Sequence, residues 1–385
     1  MKSNQPFYRT NNVVKTAFFI LLAFAVSGCS PKTEQQEYIT FGALLPLTGE
    51  NADEGLRAFN GLQLAKEEIN RNGGIGGKKL DIIVLDDRGD EKFVAEQYRK
   101  LKDMGAAAII GSSYSGVTMA LAKASEKDGI PIISPTASYP DITKGRRNVF
   151  RAIYIDEYQA EAMAYFAFNS LQARTAIVLV NESCVDYKLT ADVFTESFTR
   201  RGGKVIASEN YSSTEEFTEI LKRHSANPPD IIFCPEDYLP AAKLINAVFE
   251  AGFQNTHILG SDEWDGLLAY VFNPGAMTNV YYSSTFSFDD KDEKVTQFVK
   301  KYYDRYLQMP LSGSAAAYTC VYILAEAIRL TGSTSKDVII STMKSNELDQ
   351  ITGHIKFDQN NNPRTNVYII QIKGGVYSSY EKLDL

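Results

Sequence analysis

The chain has 385 residues, 44% hydrophobic and 23% charged, which excludes a mainly disordered chain or a polytopic membrane protein and favours two domains over one. Its 40 Lys plus Arg against 47 Asp plus Glu give a net charge of -7, without the dense basic block that nucleic acid phosphates demand. Four cysteines are too few for a disulfide scaffold.

The amino terminus reads as an address. Lys2, Arg9 and Lys15 precede an apolar run from Ala17 to Val26, too short to span a bilayer but suited to a signal peptide. Val26-Ser27-Gly28-Cys29 follows, and small residues before a cysteine resemble the lipobox of bacterial lipoproteins, in which Cys29 is lipidated and becomes the mature N-terminus. Residues 1–28 are therefore expected to be a lipoprotein signal peptide and 29–37 a polar tether, with the chain exported to the periplasm or cell surface and held at the membrane by lipid alone.

From Tyr38 onward, strands and helices alternate. Tyr38 to Pro46 is a nearly continuous apolar run, as a strand buried on both faces requires. Glu54 to Arg71 places Leu56, Phe59, Leu62, Ala65 and Ile69 at helical spacing, and Asn72-Gly73-Gly74 ends that helix. Further strands are expected at Leu80–Leu85, Ala106–Ile110 and Ile130–Ile133, with helices near Phe93–Met104 and Gly116–Asp128. The rhythm resumes with strands at Ala176–Val180, Val205–Ser208, Ile231–Cys234 and His257–Leu259. Such alternation predicts an α/β fold of two lobes, each a doubly wound parallel sheet covered by helices. Near the end, Ile355–Phe357 and Val367–Ile372 flank Asn360-Asn361-Asn362-Pro363 and read as strands joined by a turn.

Catalytic signatures are missing. His224, His257 and His354 have no ligand-like spacing, so neither a metal nor a histidine-based triad is expected. The glycine-rich stretch Gly73 to Lys79 fails the phosphate-loop pattern and follows a helix instead of opening one. Gly111 to Gly116 (GSSYSG) lacks the glycine spacing of a nucleophile elbow. A binder without cofactor is the better reading than an enzyme. The same GSSYSG loop lies between a strand and a helix N-terminus, where hydroxyls and free amides suit a carboxylate. Ser134 to Pro140 (SPTASYP) is a second polar loop at the carboxyl end of the next strand, so the two should line one crevice.

In chain order these loops join Pro46-Leu47-Thr48-Gly49, Gly61, Ile69-Asn70, Gly73-Gly74-Ile75, Leu85-Asp86-Asp87, Phe150-Arg151, Asp156, Gln159, Asp186-Tyr187, Gly260-Ser261-Asp262, Ala317-Tyr318 and Gly353 with Phe357-Asp358. The ordered set, spanning Tyr38 to Leu385, resembles the branched-chain amino-acid (Leu/Ile/Val)-binding proteins of ABC transporters, which have the type I periplasmic binding protein fold. The resemblance implies two lobes joined by three hinge crossings, with lobe 1 at 38–155 plus 287–357 and lobe 2 at 156–286 plus 358–385. It implies that a ligand α-carboxylate meets Ser115 and Ser138, near backbone groups of Tyr114, Thr136 and Ala137. The ammonium would meet Asp262, and Tyr187 would reach the ligand from lobe 2, as would either Asp237 or Tyr238. The implied partners are a small-molecule ligand, an amino acid or similar, and an ABC permease. A signalling receptor that passes its closed state to a sensor is the alternative.

One departure bears on the ligand. Where many relatives carry an aromatic or small residue, this chain has Glu54, either a pocket carboxylate favouring a polar or cationic group or a first-turn residue matching the helix dipole. Cys184 and Cys234 both follow lobe-2 strands and are either free thiols or a disulfide.

Overall fold

The computed structural model describes residues 37–49 and 52–383. The leader and Cys29 lie outside the described residues. Strand β1 (Tyr38–Leu45) is followed by α1 (Ala52–Arg71), β2 (Lys79–Asp86), α2 (Glu91–Asp103), β3 (Ile109–Gly111), α3 (Ser115–Ser125), β4 (Ile132–Ser134) and β5 (Val149–Arg151). The five strands form a parallel sheet in the order β2-β1-β3-β4-β5. α2 starts where the Asp90 carboxylate accepts from Lys92 N at 2.9 Å.

After Ala152 the chain crosses to a second lobe with α4 (Asp156–Tyr165), β6 (Thr175–Asn181), α5 (Val185–Arg200), β7 (Lys204–Tyr211), α6 (Phe217–Arg223), β8 (Ile231–Phe233), α7 (Tyr238–Glu250), β9 (His257–Gly260) and β10 (Val280–Ser284). It then returns to the first lobe with α8 (Glu293–Tyr306), α9 (Ser312–Thr331), α10 (Lys336–Ser345) and the small hairpin β11 (Leu348–Gln350) and β12 (Gly353–Ile355). A third crossing delivers β13 (Val367–Lys373) and β14 (Val376–Leu383) to the second sheet, whose order is β14-β13-β10-β9-β8-β6-β7.

Each sheet has apolar cores on both faces. In the first lobe Phe41, Leu62, Leu324 and Ile328 fill one side and Leu44, Val94, Leu121 and Ile132 the other. In the second, Ile232, Leu244 and Trp264 lie on one face and Phe194, Phe198 and Phe233 on the other. This double cover is why the strands read as apolar runs without alternation.

Two expectations about the C-terminal region are corrected. The segments around Ile355 and Val367 are not strand partners: β12 pairs with β11 in the first lobe, whereas β13 pairs antiparallel with β10 and β14 in the second. The turn at 358–362 also stays with the first lobe. Asn361 Nδ2 donates to the carbonyls of Arg146 (2.7 Å) and Val149 (2.9 Å), and Thr143 Oγ1 donates to Asn362 at 2.9 Å. These bonds hold Asn361 and Asn362 against the first lobe, beyond the boundary expected at Phe357.

Both sheets reverse their strand order beside a central strand, at β1/β3 and at β6/β8. Crevices form at such switch points, outside the carboxyl ends of the strands. The loops after β1, β3 and β4 face those after β6, β8 and β9, and this places the candidate site.

Candidate functional site

The first-lobe wall is a stitched pair of loops. Ser112 Oγ donates to Asp87 Oδ2 (2.6 Å), Ser134 Oγ to Ser112 O (2.7 Å) and Thr136 Oγ1 to Ser113 O (2.9 Å). Gly111 makes the approach of β3 to β1 feasible, with φ 130° and a position where a Cβ would lie 2.2 Å from Leu44 O. Arg151, fully buried, donates to Ala137 O (3.0 Å), Tyr139 O (2.7 Å) and Thr143 Oγ1 (3.3 Å) and fixes the second loop from beneath. Burial pushes its guanidinium down to about 10, still charged at neutral pH.

Two adjoining cavities open between the lobes. One, of about 450 Å³, is lined by Glu54, Ser113, Tyr114, Thr136 and Ser312 of the first lobe and by Asp237, Tyr238, Asp262, Glu263 and Asp265 of the second. The other, of about 660 Å³, includes Ser115, Ser138, Asp156, Gln159, Cys184, Asp186, Tyr187 and Ser261. Ser113, Tyr114, Thr136 and Glu263 belong to both, so the cleft is continuous.

Of the residues expected from sequence, Tyr114, Thr136, Tyr238, Asp262 and Glu54 lie on the first cavity and Ser115, Ser138 and Tyr187 on the second. Both candidates for the further second-lobe contact, Asp237 and Tyr238, line the first; Asp237 caps α7 by accepting from Tyr238 N at 2.6 Å. Ala137 does not line either. Its N–H donates to Ser134 Oγ (3.1 Å) and its carbonyl accepts from Arg151, so both backbone groups take part in supporting the loop. The residues not singled out are Ser113, Glu263, Asp265 and Ser312. The acidic run Asp262-Glu263-Trp264-Asp265 at the carboxyl end of β9 was the available signal for two of them.

The electrostatics are one-sided. Among the described residues lining the two cavities there is no Lys, Arg or His. Arg57 sits behind the wall, its Nε 3.5 Å from Glu54 Oε2 and its Nη1 3.4 Å from Asp265 O. Burial raises the carboxyl groups of Glu54, Asp262 and Glu263; Arg57 partly offsets the rise at Glu54, and neighbouring acids reinforce it at the other two. Burial also lifts Asp156 and Asp237 to about 6 each, despite hydrogen bonds that favour their charged forms. Desolvation is the largest cause at each of these carboxyl groups.

The lobes also touch directly. Asp265 Oδ2 accepts from Ser312 N (2.6 Å) and Ser312 Oγ (2.5 Å) at the start of α9, and Tyr270 OH donates to Asp53 Oδ2 at 3.1 Å. Cys184 and Cys234 are free thiols, as is Cys320.

Two lobes of this topology, meeting over a ligand-sized cleft at their strand ends, define a solute receptor of the type I periplasmic binding protein fold. The sequence profile of the family described as Periplasmic binding protein matches residues 38–376, and the chain belongs to that family. Membership makes it a solute-binding protein, not an enzyme. It is similar to the Leu/Ile/Val-binding protein BraC3 of Rhizobium johnstonii, 29% identical over 226 residues, 58% of this chain and 61% of that protein. It is also similar to Leu/Ile/Val-binding protein homolog 1 of Brucella abortus, 25% identical over 336 residues, 86% of this chain and 89% of that one. Among solved structures, the branched-chain amino acid transporter substrate binding protein LivJ of Streptococcus pneumoniae, in complex with isoleucine, superposes with a TM-score of 0.82 at 26% identity, covering 90% of this chain and 99% of that one.

Proposed function

We propose that this protein is an exported, lipid-anchored receptor that captures an α-amino acid between its lobes and delivers it to an ABC permease. The observation that carries the reading is the polarity of the cleft. Hydroxyls of Ser113, Ser115 and Ser138 and the N-terminus of α3 lie on the first lobe, while Asp262 and Glu263 lie on the second. A zwitterion needs both of its charges compensated when it is desolvated, and this arrangement offers a partner for each. The names of the similar proteins, and the isoleucine bound by the Streptococcus pneumoniae protein, support an amino acid as the class of ligand.

The mechanism is hinge closure. Ligand settles on the first-lobe loops, the second lobe closes with Tyr187 and Asp262, and the closed form is handed on. A thermal-shift panel of the twenty amino acids on the purified protein tests this: a ligand at 100 times its dissociation constant stabilises by about 2.7 kcal/mol. Ser115→Ala should weaken the hit without lowering the unliganded melting temperature. No shift from any amino acid would sink the proposal. The anchor is tested separately, since Cys29→Ala should release the protein from the membrane fraction.

A further inference from the structure

The first cavity holds five carboxyl groups, more than one α-ammonium can pair in their ionised forms. We infer that the ligand carries a second cation, and is an α-amino acid with a basic side chain whose cationic end lies between Glu54 of the first lobe and Asp237 of the second. The inference rests on, and sharpens, the amino-acid reading above.

Five carboxylates line this cavity and no basic side chain does, among the described residues. Asp265 is engaged by Ser312 and by Tyr282 OH at 3.3 Å, and Glu54 has Arg57 at 3.5 Å. That leaves Asp262 and Glu263 without a cation and Asp237 with only Arg57, which Glu54 and Asp265 share. Two buried polar atoms lining this cavity, Ser113 Oγ of the first lobe and Asp262 Oδ1 of the second, have no hydrogen-bond partner, and Ser113 is only 5% exposed. Buried polar atoms are normally satisfied, so unpartnered ones on a cavity wall point to a polar ligand. If Asp262 takes the α-ammonium, Asp237 and Glu263 remain for a second cation, which would hold them ionised against the burial that raises them.

The wall also argues against an aliphatic side chain. None of its ten lining residues is Leu, Ile, Val or Met, so a branched hydrocarbon would be desolvated against carboxylates and hydroxyls. The apolar surfaces present are the rings of Tyr114 and Tyr238, faces that attract cations. A bound metal is a poor fit: among the described residues no three His, Cys, Asp or Glu come together in a way that could hold one. The positive charge must therefore be spread along an organic molecule.

The test is calorimetric titration of the purified protein at pH 7.5 with L-lysine, L-ornithine, L-arginine, L-leucine and L-isoleucine, and with cadaverine and putrescine, which lack the carboxylate. At least one basic amino acid should bind 30-fold or more tightly than leucine. Glu54→Gln should cut that preference tenfold or more, and Asp237→Asn, a second variant should the first fail to fold, should do the same. Leucine or isoleucine binding as tightly as every basic amino acid would overturn the second-cation inference and leave the amino-acid reading standing. Cadaverine or putrescine binding more tightly than lysine or ornithine would overturn the amino-acid reading and keep the need for two cations. Silence from the whole panel would overturn both.

Discussion

Asp265 ties the second lobe to the first helix turn beyond the hinge. Its Oδ2 accepts from Ser312 N and Oγ at 2.6 and 2.5 Å, and Ser312 opens the 20-residue α9 of the first lobe. Asp265→Asn keeps the shape and an acceptor oxygen but removes the charge. Charge-assisted hydrogen bonds contribute about 1.5–3 kcal/mol and neutral ones about 0.5–1.5, so two bonds lose about 2 kcal/mol between them. Losing a negative charge at a helix N-terminus removes about 0.3–1 kcal/mol more. The contact exists only when the lobes meet, so the sum of about 2–3 kcal/mol falls on the closed form. Apparent ligand affinity should drop by about 30- to 150-fold. Because Asp265 also lines the cavity, titration of the single variant alone would mix latch and ligand effects. A double-mutant cycle with Ser312→Ala separates them. If the latch operates, the two substitutions should be less than additive by about 1 kcal/mol. Small-angle scattering of Asp265→Asn should show a more open average shape at a given ligand concentration. Affinity within threefold of wild type, or strictly additive effects, would refute the latch.

Three further outcomes are expected. Asp156 is 4% exposed, and burial lifts its carboxyl to about 6 against the usual 3.8, with Arg151, Asp186, Ser138 and Gln159 around it. A raised acid pKa means the folded state holds the proton more tightly, so the stability this group contributes is present below about 4 and lost as pH rises through about 6. Asp156→Asn should therefore gain about 3 kcal/mol relative to wild type between pH 4 and pH 7.5 in urea melts, and a pH-independent difference would reject this. Gly260→Ala would put a Cβ 2.1 Å from the buried Trp264 ring. It should cost about 1–3 kcal/mol and, by displacing the Asp262–Asp265 turn, weaken ligand more than tenfold; wild-type affinity in the folded variant would contradict that. Arg151→Met strands the carbonyls of Ala137 and Tyr139 and should cost about 3 kcal/mol or more by guanidinium denaturation, with a loss under about 1 kcal/mol counting against the network.

What the sequence disclosed follows from how local each feature is. The parallel strands announce themselves as short apolar runs because both faces are covered, and the helices by their spacing and by stops such as Gly73-Gly74. The GSSYSG and SPTASYP loops were visible as polar breaks at strand ends. Partnership was not visible: nothing local in Val367–Ile372 says that its neighbours are β10 and β14 and not the segment just before it. Nor was the fate of a backbone amide. Ala137 sits in the expected loop, yet Ser134 and Arg151 occupy its polar groups, a matter of side chains at 3 and 14 residues' remove. The least legible property is the density of carboxylates. Glu54 and Asp237 each read equally as helix-start residues and Asp265 as a turn residue, and only the meeting of two lobes brings them to one cavity.

That convergence couples recognition to motion. Glu54 lies on the first lobe, whereas Asp237, Asp262, Glu263 and Asp265 lie on the second, so closing the cleft brings like charges together. Two unit charges about 4 Å apart repel by about 4 kcal/mol at the effective dielectric of a protein surface. Asp265 escapes this cost by capping α9, Asp237 in part by capping α7 and Glu54 in part through Arg57, while burial raises the carboxyls of Asp262 and Glu263 toward their neutral forms. A ligand with cations at both ends converts the repulsion into attraction and so binds the closed form better than the open one, which is the sole way a ligand can drive closure. A ligand with an apolar side chain of the same size would fit the space but leave the carboxylates opposed. Discrimination would then arise less from shape than from the failure of the wrong ligand to close the lobes. On the second-cation inference, selectivity would reside in the carboxyl groups that the two lobes bring together when they meet.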